Sequence, residues 1–161
     1  MQSEKEFIGI IKENEGLIYK VAKVYAYNKE DEQDLYQEIV YQLWKSFPSF
    51  RNDSKLSTWM YRVALNTSIT YSAKEKKRGT HLPMHEWLVN KPDTNDLLKE
   101  ERIEALYAAI KKLNTVEKGV IFLYLEGKNY EEIAGITGFT STNVGTRLGR
   151  IREKIISQIK K

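Results

Sequence analysis

Apolar residues recur every three or four positions along most of the chain, which predicts an all-helical protein. One helical stretch runs from Ser3 to about Tyr27, and a second from Asp31 to Phe47. A third helix starts near Leu56 or Ser57 and runs into a basic sequence that Gly79 closes. No strand pairs and no sequence repeats interrupt this pattern. We therefore expect the N-terminal half to be a small helical bundle.

The periodicity is lost in residues 80–96, which contain two of the three prolines and both histidines. We interpret this segment as a linker, although its apolar residues favour docking on a neighbouring surface. Helical periodicity resumes at Leu97, and a further helix begins at Asn114–Thr115 and ends at Gly127. The predicted architecture is two small helical bundles, residues 1–79 and 97–161, joined by that linker.

The stretch from Asn129 to Arg152 contains two apolar stripes separated by a glycine-bearing turn. The first stripe comprises Tyr130, Ile133 and Ala134, and Thr140 is placed to cap the helix that follows. The second stripe is made of Val144, Leu148, Ile151 and Ile155, while the opposite face of the same helix carries Asn143, Thr146, Arg147 and Arg150. This arrangement is typical of a helix-turn-helix that reads a DNA major groove.

The basic side chains of this last helix fit two interpretations. A basic amphipathic helix at the end of a chain is often only a solvated surface. Arginine also binds guanine O6 and N7 through two hydrogen bonds, which suits Arg147 and Arg150 for base recognition. Arg152 and Lys154 lie further along the helix, where contact with phosphate is the simpler prediction.

The third helix carries a second candidate surface. Trp59, Arg62 and Asn66 share one side of it, between the Phe50–Ser54 loop and the basic run KEKKR. Aromatic, amide and arginine groups of this kind hold the unstacked bases of a single strand. Packing of the aromatic residue in the bundle core explains the same pattern equally well at this point.

The second helix has an acidic face formed by Asp31, Asp34, Glu38 and Tyr41. Acids in a first turn favour the helix dipole, so solvation and capping explain part of this face. Glu38 lies beyond the reach of that effect. A docking face for a basic protein partner is the functional hypothesis, because DNA would repel it.

Composition excludes several classes of protein. The net charge of +4 and the pI near 9.1 mildly favour a polyanionic partner. With no cysteine, no apolar run long enough to span a bilayer and no visible signal peptide, we expect a cytoplasmic protein without membrane insertion. Pro83 lies between His81 and His85 and disfavours a helical metal site. We predict no cofactor and no enzymatic activity, because no catalytic set of side chains is present.

Two sequence motifs carry a family resemblance. DEQDLYQEIVYQLWKSF (residues 31–47) with STWMYRVALN (57–66) resembles the second domain of the extracytoplasmic-function (ECF) group of bacterial sigma factors. EEIA (131–134) followed by STNVGTRLGRIR (141–152) resembles sigma domain four. The resemblance covers nearly the whole chain in the right order and implies an alternative sigma factor that directs core RNA polymerase to promoters.

The resemblance also implies roles for individual residues. Polymerase binding, on the clamp coiled coil of the largest subunit, would involve Asp31, Asp34, Gln37 and Glu38. Capture of the minus-ten element would involve Phe50, Arg51, Ser57, Thr58, Trp59, Arg62 and Asn66. The minus-thirty-five element would be read by Thr142, Asn143, Thr146, Arg147 and Arg150. Further implied partners are the flap of the second polymerase subunit and an anti-sigma factor.

Some residues depart from the family pattern. Gly145 replaces a frequent lysine and Gly149 is a second glycine in the recognition helix, so each weakens that helix by up to about 1 kcal/mol relative to alanine. Asn114 stands where proline is usual. Two competing hypotheses remain: a helix-turn-helix regulator that acts without polymerase, which leaves the 31–66 motifs unexplained, and a histidine-linked metalloenzyme.

Overall fold

The computed structural model describes residues 2–50, 55–78 and 97–160, and over these ranges it contains eight α-helices and no strand. The first bundle comprises α1 (Gln2–Glu13), α2 (Glu15–Tyr25), α3 (Lys29–Ser46) and α4 (Leu56–Arg78), with a 3-10 turn at Phe47–Ser49. The second bundle comprises α5 (Leu97–Lys111), α6 (Thr115–Leu125), α7 (Tyr130–Thr137) and α8 (Ser141–Lys160). The all-helical prediction is confirmed.

The single N-terminal helix expected up to Tyr27 is wrong, because the chain breaks into α1 and α2 at Asn14. The backbone of Asn14 leaves the helical region (φ −123°), and its side-chain amide donates to the Ile10 carbonyl at 2.8 Å. That hydrogen bond replaces the continuing helical one. Apolar spacing could not reveal the break, because Ile11 and Ile18 keep helical phase across it.

The core of the first bundle lies between α2, α3 and α4. The predicted stripe of Leu35, Ile39 and Leu43 is fully buried, and it meets Ile18 and Met60 from the neighbouring helices. Helix α3 begins at Lys29, slightly earlier than expected, because the Asn28 side chain accepts a hydrogen bond from the Asp31 N–H at 2.8 Å.

The second bundle is built from short helices with defined ends. Asn114 and Asn129 each form a reciprocal capping box with the glutamate three residues later, and the Thr140 hydroxyl accepts from the Asn143 N–H at 3.1 Å. Gly138 ends α7 with φ +89°, a conformation that favours glycine. The predicted stripe Val144, Leu148, Ile151 and Ile155 is buried. The apolar spacing also predicts buried positions for Ile103, Val116, Tyr124 and Tyr130, but all four are exposed.

The two bundles pack against each other, which buries a second face of α4. We expected α4 to bury one face through Leu56, Met60, Val63, Ala64 and Thr67. Tyr61 and Leu65, on another side of the helix, are also buried, because α6 and α7 lie against them. Gly119 allows α6 to lie close to the first bundle, because a Cβ atom at this position would lie 3.2 Å from the Tyr25 hydroxyl of α2.

Hydrogen bonds and an ion pair cross the contact between the bundles, together with apolar packing of Leu65 and of the Tyr61 and Phe122 rings. We call this contact the inter-bundle seam. Tyr25 donates to the Thr115 carbonyl at 2.7 Å, and Lys111 donates to the carbonyl of Ala26, which caps the C-terminus of α2. The Glu126 carboxylate accepts from the Tyr61 hydroxyl at 3.1 Å and from Lys20 at 3.3 Å. No helix within the described ranges is long and apolar enough to cross a membrane.

Candidate nucleic-acid and protein interfaces

Helix α8 presents the polar face that the sequence predicts. With Val144 and Leu148 buried beneath it, the helix turns Thr142, Asn143, Thr146 and Arg150 outward, while Arg147 is half-buried. The short α7 crosses behind α8 and supports it through Ile133 and Ile136. The side chains on the outer face therefore stand on a rigid base.

Arg147 is held in one position by two neighbours. Its Nε–H donates to the Asn143 Oδ1 at 2.7 Å, and its guanidinium carbon lies 4.2 Å from the centroid of the Phe139 ring. Four further N–H donors remain on the two terminal nitrogens, and no acceptor in the described part of the chain binds them. Arg147 and Asn143, predicted as separate contacts, thus form one unit.

Arg152 and Lys154 turn towards α6. The Arg152 guanidinium lies 4.6 Å from the centroid of the Tyr124 ring, and Lys154 forms an ion pair with Glu117 at 2.6 Å. Partial burial raises the pKa of the Glu117 carboxyl, but the hydrogen bonds from Lys154 and from the Asn114 backbone outweigh it and lower the pKa below its ordinary value. Both cations therefore have partners within the protein.

The start of α4 carries an aromatic cluster. The Trp59 ring stacks on Phe50 at 4.9 Å between centroids, and it meets Phe47 at 6.1 Å in a tilted arrangement. Ser57 and Thr58 are half-buried beside it. Arg51, which the resemblance assigns to the same surface, lies outside the described residues. Stacked rings at the edge of a bundle offer a platform for an unstacked base.

Arg62 and Asn66 line a cleft of about 400 Å³ between the bundles. The Arg62 guanidinium donates to the Gly135 carbonyl from Nε at 3.0 Å and from Nη2 at 2.6 Å. That carbonyl belongs to the last turn of α7, where it lacks a helical partner and where the helix dipole favours a cation. Asn66 is exposed. The candidate residues of α4 are therefore divided between the aromatic cluster and the seam.

The acidic face of α3 is exposed at Asp34, Gln37 and Glu38. Glu38 accepts from Gln42 at 2.9 Å, one turn later. Asp31 differs, because it is half-buried and accepts from the Tyr71 hydroxyl of α4 at 3.4 Å. The spacing of the sequence places Asp31, Asp34 and Glu38 on one face, and the structure shows that Asp31 lies at its inner edge.

Exposed aromatic residues extend this face. Tyr41 and Trp44 are exposed at 55% and 43%. The spacing of the sequence predicts Tyr41, and Trp44 lies one turn after it, so its helical position was the available signal. Tyr36 lies on the opposite side of α3, where its ring stacks on Tyr19 at 4.1 Å between centroids.

In the described part of the chain, no group of three or more His, Cys, Asp or Glu side chains could hold a metal ion. His81 and His85 lie outside it.

Both halves of the chain match known family models. The model of Sigma-70 region 2 matches residues 10–78, and the model of Sigma-70 region 4 matches residues 103–155. The ECF RNA polymerase sigma-E factor of Haemophilus influenzae is 32% identical over 149 residues, which span 82% of this chain and 76% of the relative. The chain belongs to the ECF group of sigma factors.

Other comparisons agree with this family. The ECF RNA polymerase sigma-E factor of Escherichia coli K12 is 28% identical over 142 residues, covering 80% of this chain and 74% of the relative. The sigma factor RpoE of Bartonella quintana, solved in complex with the anti-sigma factor NepR, matches with a TM-score of 0.75 over 97% of this chain and 98% of that one, at 19% identity. CnrH, solved with the cytosolic domain of CnrY, matches with a TM-score of 0.67 over 98% and 89%, also at 19% identity. These two structural matches share the fold.

This sigma factor is an alternative sigma factor that directs transcription initiation. Membership of this family argues against a helix-turn-helix regulator that acts without polymerase. Such a regulator would not need a Sigma-70 region 2, which residues 10–78 match. The prediction of the family from the two motifs is confirmed.

Proposed function

We propose that this sigma factor binds core RNA polymerase through α3 and reads a promoter at two points, through α4 and α8. One observation supports this proposal most directly. The match to Sigma-70 region 2 includes the exposed acidic face of α3 and the aromatic cluster, and the match to region 4 includes the exposed arginine-bearing face of α8. The corresponding division is domain two at 1–79, a linker at 80–96 and domain four at 97–161. The protein acts in the cytoplasm, has no cofactor and has no catalytic activity of its own.

The polymerase contact is assigned to Asp31, Asp34, Gln37 and Glu38 on α3. Exposed carboxylates there favour a basic partner such as the clamp coiled coil of the largest subunit. The adjacent exposed rings of Tyr41 and Trp44 add apolar area, which is typical of the centre of a protein interface. Domain four would bind the flap of the second subunit.

The minus-ten contact is assigned to the aromatic cluster and the residues that follow it on α4. Phe50 and Trp59 offer ring faces, and Arg62 and Asn66 offer hydrogen-bond donors on the same helix. Arg51, Ser57 and Thr58 complete the proposed set. The Nε and Nη2 donors of Arg62 are engaged by the Gly135 carbonyl, and separation of the bundles at the seam would release them for contact with DNA.

The minus-thirty-five contact is assigned to Thr142, Asn143, Thr146, Arg147 and Arg150 on the outer face of α8. Arg152 and Lys154 are proposed to bind phosphate after leaving their partners on α6. An anti-sigma factor is a further proposed partner. It is supported by the sigma factor RpoE of Bartonella quintana, which has a similar fold and was solved in complex with the anti-sigma factor NepR.

Reconstitution with core polymerase tests the proposal. The protein is added to core polymerase and a library of promoter fragments from its own genome, and transcript starts are mapped. We expect initiation at fragments that share one upstream and one downstream element. Transcription that is unchanged by the protein across the library would contradict the proposal.

Charge reversal tests the polymerase contact within the same assay. Asp34→Lys is expected to lower the affinity for core polymerase at least tenfold, because the change replaces an attraction by a repulsion. Glu13→Lys is the matched control, since it makes the same change at an exposed position of α1. Equal affinity of the two variants would remove α3 from the interface.

A further inference from the structure

The turn between α7 and α8 holds an aromatic side chain in a fixed place. Phe139 follows Gly138, and its N–H donates to the Thr137 hydroxyl at 3.3 Å, which itself donates to the Ile133 carbonyl at 2.7 Å. The Phe139 ring is half-buried and packs against the hydrophobic core. Its position is therefore determined by both backbone and packing.

One face of this ring carries the Arg147 guanidinium. Because the ring and the Asn143 side chain both contact it, the guanidinium is held at its face and at its Nε edge. The edge formed by the two terminal nitrogens is the one that binds guanine O6 and N7. An arginine side chain otherwise has many rotamers, and ordering them weakens binding.

A second arginine on α8 makes a similar contact that serves as a comparison. Arg152 lies over the Tyr124 ring, but this pair is further along the helix and faces α6 rather than the outer surface. The two pairs have the same chemistry at different positions. Only the pair of Arg147 with Phe139 lies at the candidate base-reading face.

We propose that Phe139 is a positioning residue that sets base specificity at the upstream promoter element, by holding Arg147 ready for a guanine in the major groove. This proposal rests on the proposed role of α8 in promoter recognition. It assigns to the ring a role beyond core packing, because an aliphatic residue would fill the same space without offering a π face to the cation.

The test compares variants in transcription by the full protein with core polymerase. Promoters are identical except at the upstream element, which is randomised. Because that element is not itself transcribed, each promoter carries a transcribed sequence tag, and sequencing the tags gives the ratio of guanine to other bases at each position. Phe139→Leu keeps the apolar volume and removes the π face. We expect Phe139→Leu to lower the preference for guanine at one position about three- to fivefold, and Phe139→Tyr, which keeps the π face, to retain that preference.

Controls separate positioning from packing. In an Arg147→Ala background, Phe139→Leu should have no further effect on base preference. Tyr124→Leu should leave base preference unchanged, because its partner Arg152 is away from the reading face. Two outcomes would overturn the proposal in favour of simple packing. One is a loss of transcription with Phe139→Leu that is equal for all bases. The other is a change in base preference with Phe139→Leu that persists in the Arg147→Ala background.

The same experiment distinguishes failure of this inference from failure of the proposed function. If Arg147→Ala changes base preference but Phe139→Leu does not, α8 reads the element and Phe139 has no positioning role. If Arg147→Ala leaves the preference at every position unchanged, Arg147 reads no base and this inference falls. The proposed function falls only if transcription from the library does not depend on the protein at all. Thermal melting of each variant confirms that the comparison is made on folded protein.

Discussion

Glycine occupies two positions of α8 whose surroundings differ. At Gly149 a Cβ atom would meet nothing within 4 Å, whereas at Gly145 it would lie 3.1 Å from the Tyr130 ring. Gly145 thus allows α7 and α8 to approach closely. Gly149 has no such packing reason, so its only local effect is to weaken the helix.

Alanine substitution should separate these two glycines. Gly149→Ala is expected to raise the free energy of unfolding by about 1 kcal/mol, or the melting temperature by about 2–4 °C, because it reduces the flexibility of the unfolded chain. Gly145→Ala should raise the free energy of unfolding by less, because the Tyr130 ring must move to make room for the new Cβ atom. Thermal and urea unfolding provide the measurement, and an equal or larger gain at Gly145 would contradict this account.

At the scale of a single element, α5 carries a half-buried cation, Lys111. Burial lowers the pKa of Lys111 to about 8, and the positive charges of Lys118 and Lys23 act in the same direction. Glu32 and Asp31 of α3 oppose the shift. Lys111 also donates to the carbonyl of Ala26 at the C-terminus of α2.

This shift predicts a pH dependence of stability. Below pH 8 the ammonium group of Lys111 stays charged in the folded protein, and its desolvation destabilises that state. In the unfolded chain the same group keeps its proton up to an ordinary pKa of about 10.4. The unfolded state therefore binds more protons between these values, and stability attributable to Lys111 should rise with pH. Lys111→Met should flatten the rise measured by urea unfolding from about pH 7.5 to 9.5.

Lys112 supplies the control for this measurement. It is exposed and donates to Gln158 at 3.1 Å, so Lys112→Met should leave the slope unchanged. An unaltered slope in the Lys111 variant would mean that other groups cause the dependence.

The elements themselves were largely predictable from the sequence. Apolar stripes on α3 and α8 specify their buried faces, and Asn114 and Thr140 are caps that act locally. The break at Asn14 was not predictable, since the apolar spacing stays in phase across it. Local signals decide where a helix is stable, but a single side-chain hydrogen bond decides where it stops.

The candidate surfaces were predictable only in outline. The residue types and spacing on α8 predicted its outer face correctly. The contact between Phe139 and Arg147 could not be foreseen, because an aromatic residue in a turn usually signals core packing. The hydrogen bonds from Arg62 to the Gly135 carbonyl depend on how the two bundles pack together. The apolar periodicity within one helix cannot specify that packing.

At the scale of the whole molecule, each bundle caps a helix of the other. Lys111 of the second bundle binds the C-terminal end of α2, and Arg62 of the first binds the C-terminal end of α7. Glu126 adds a carboxylate that accepts from Lys20 and Tyr61. These polar contacts accompany buried apolar side chains, including Leu65 and the Tyr61 and Phe122 rings, so separation of the bundles also exposes apolar surface.

Removal of the Glu126 carboxylate should favour that separation. Its hydrogen bond from Tyr61 is worth about 1.5–3 kcal/mol, whereas the exposed ion pair with Lys20 adds little. Glu126→Ala is expected to shift the protein towards separated bundles and to increase its radius of gyration in small-angle X-ray scattering. Glu131→Ala, at an exposed position of α7, should leave the radius unchanged, and similar radii for both variants would rule out this role of Glu126.

The chain between Arg78 and Leu97 limits how far the two bundles can separate. Nineteen Cα–Cα steps cover at most on the order of 65 Å when fully extended. The end of α4 and the start of α5 therefore cannot lie further apart than this, however completely the inter-bundle seam opens. Each bundle stays in the neighbourhood of the other after separation, and the seam can close again without a search through the solution.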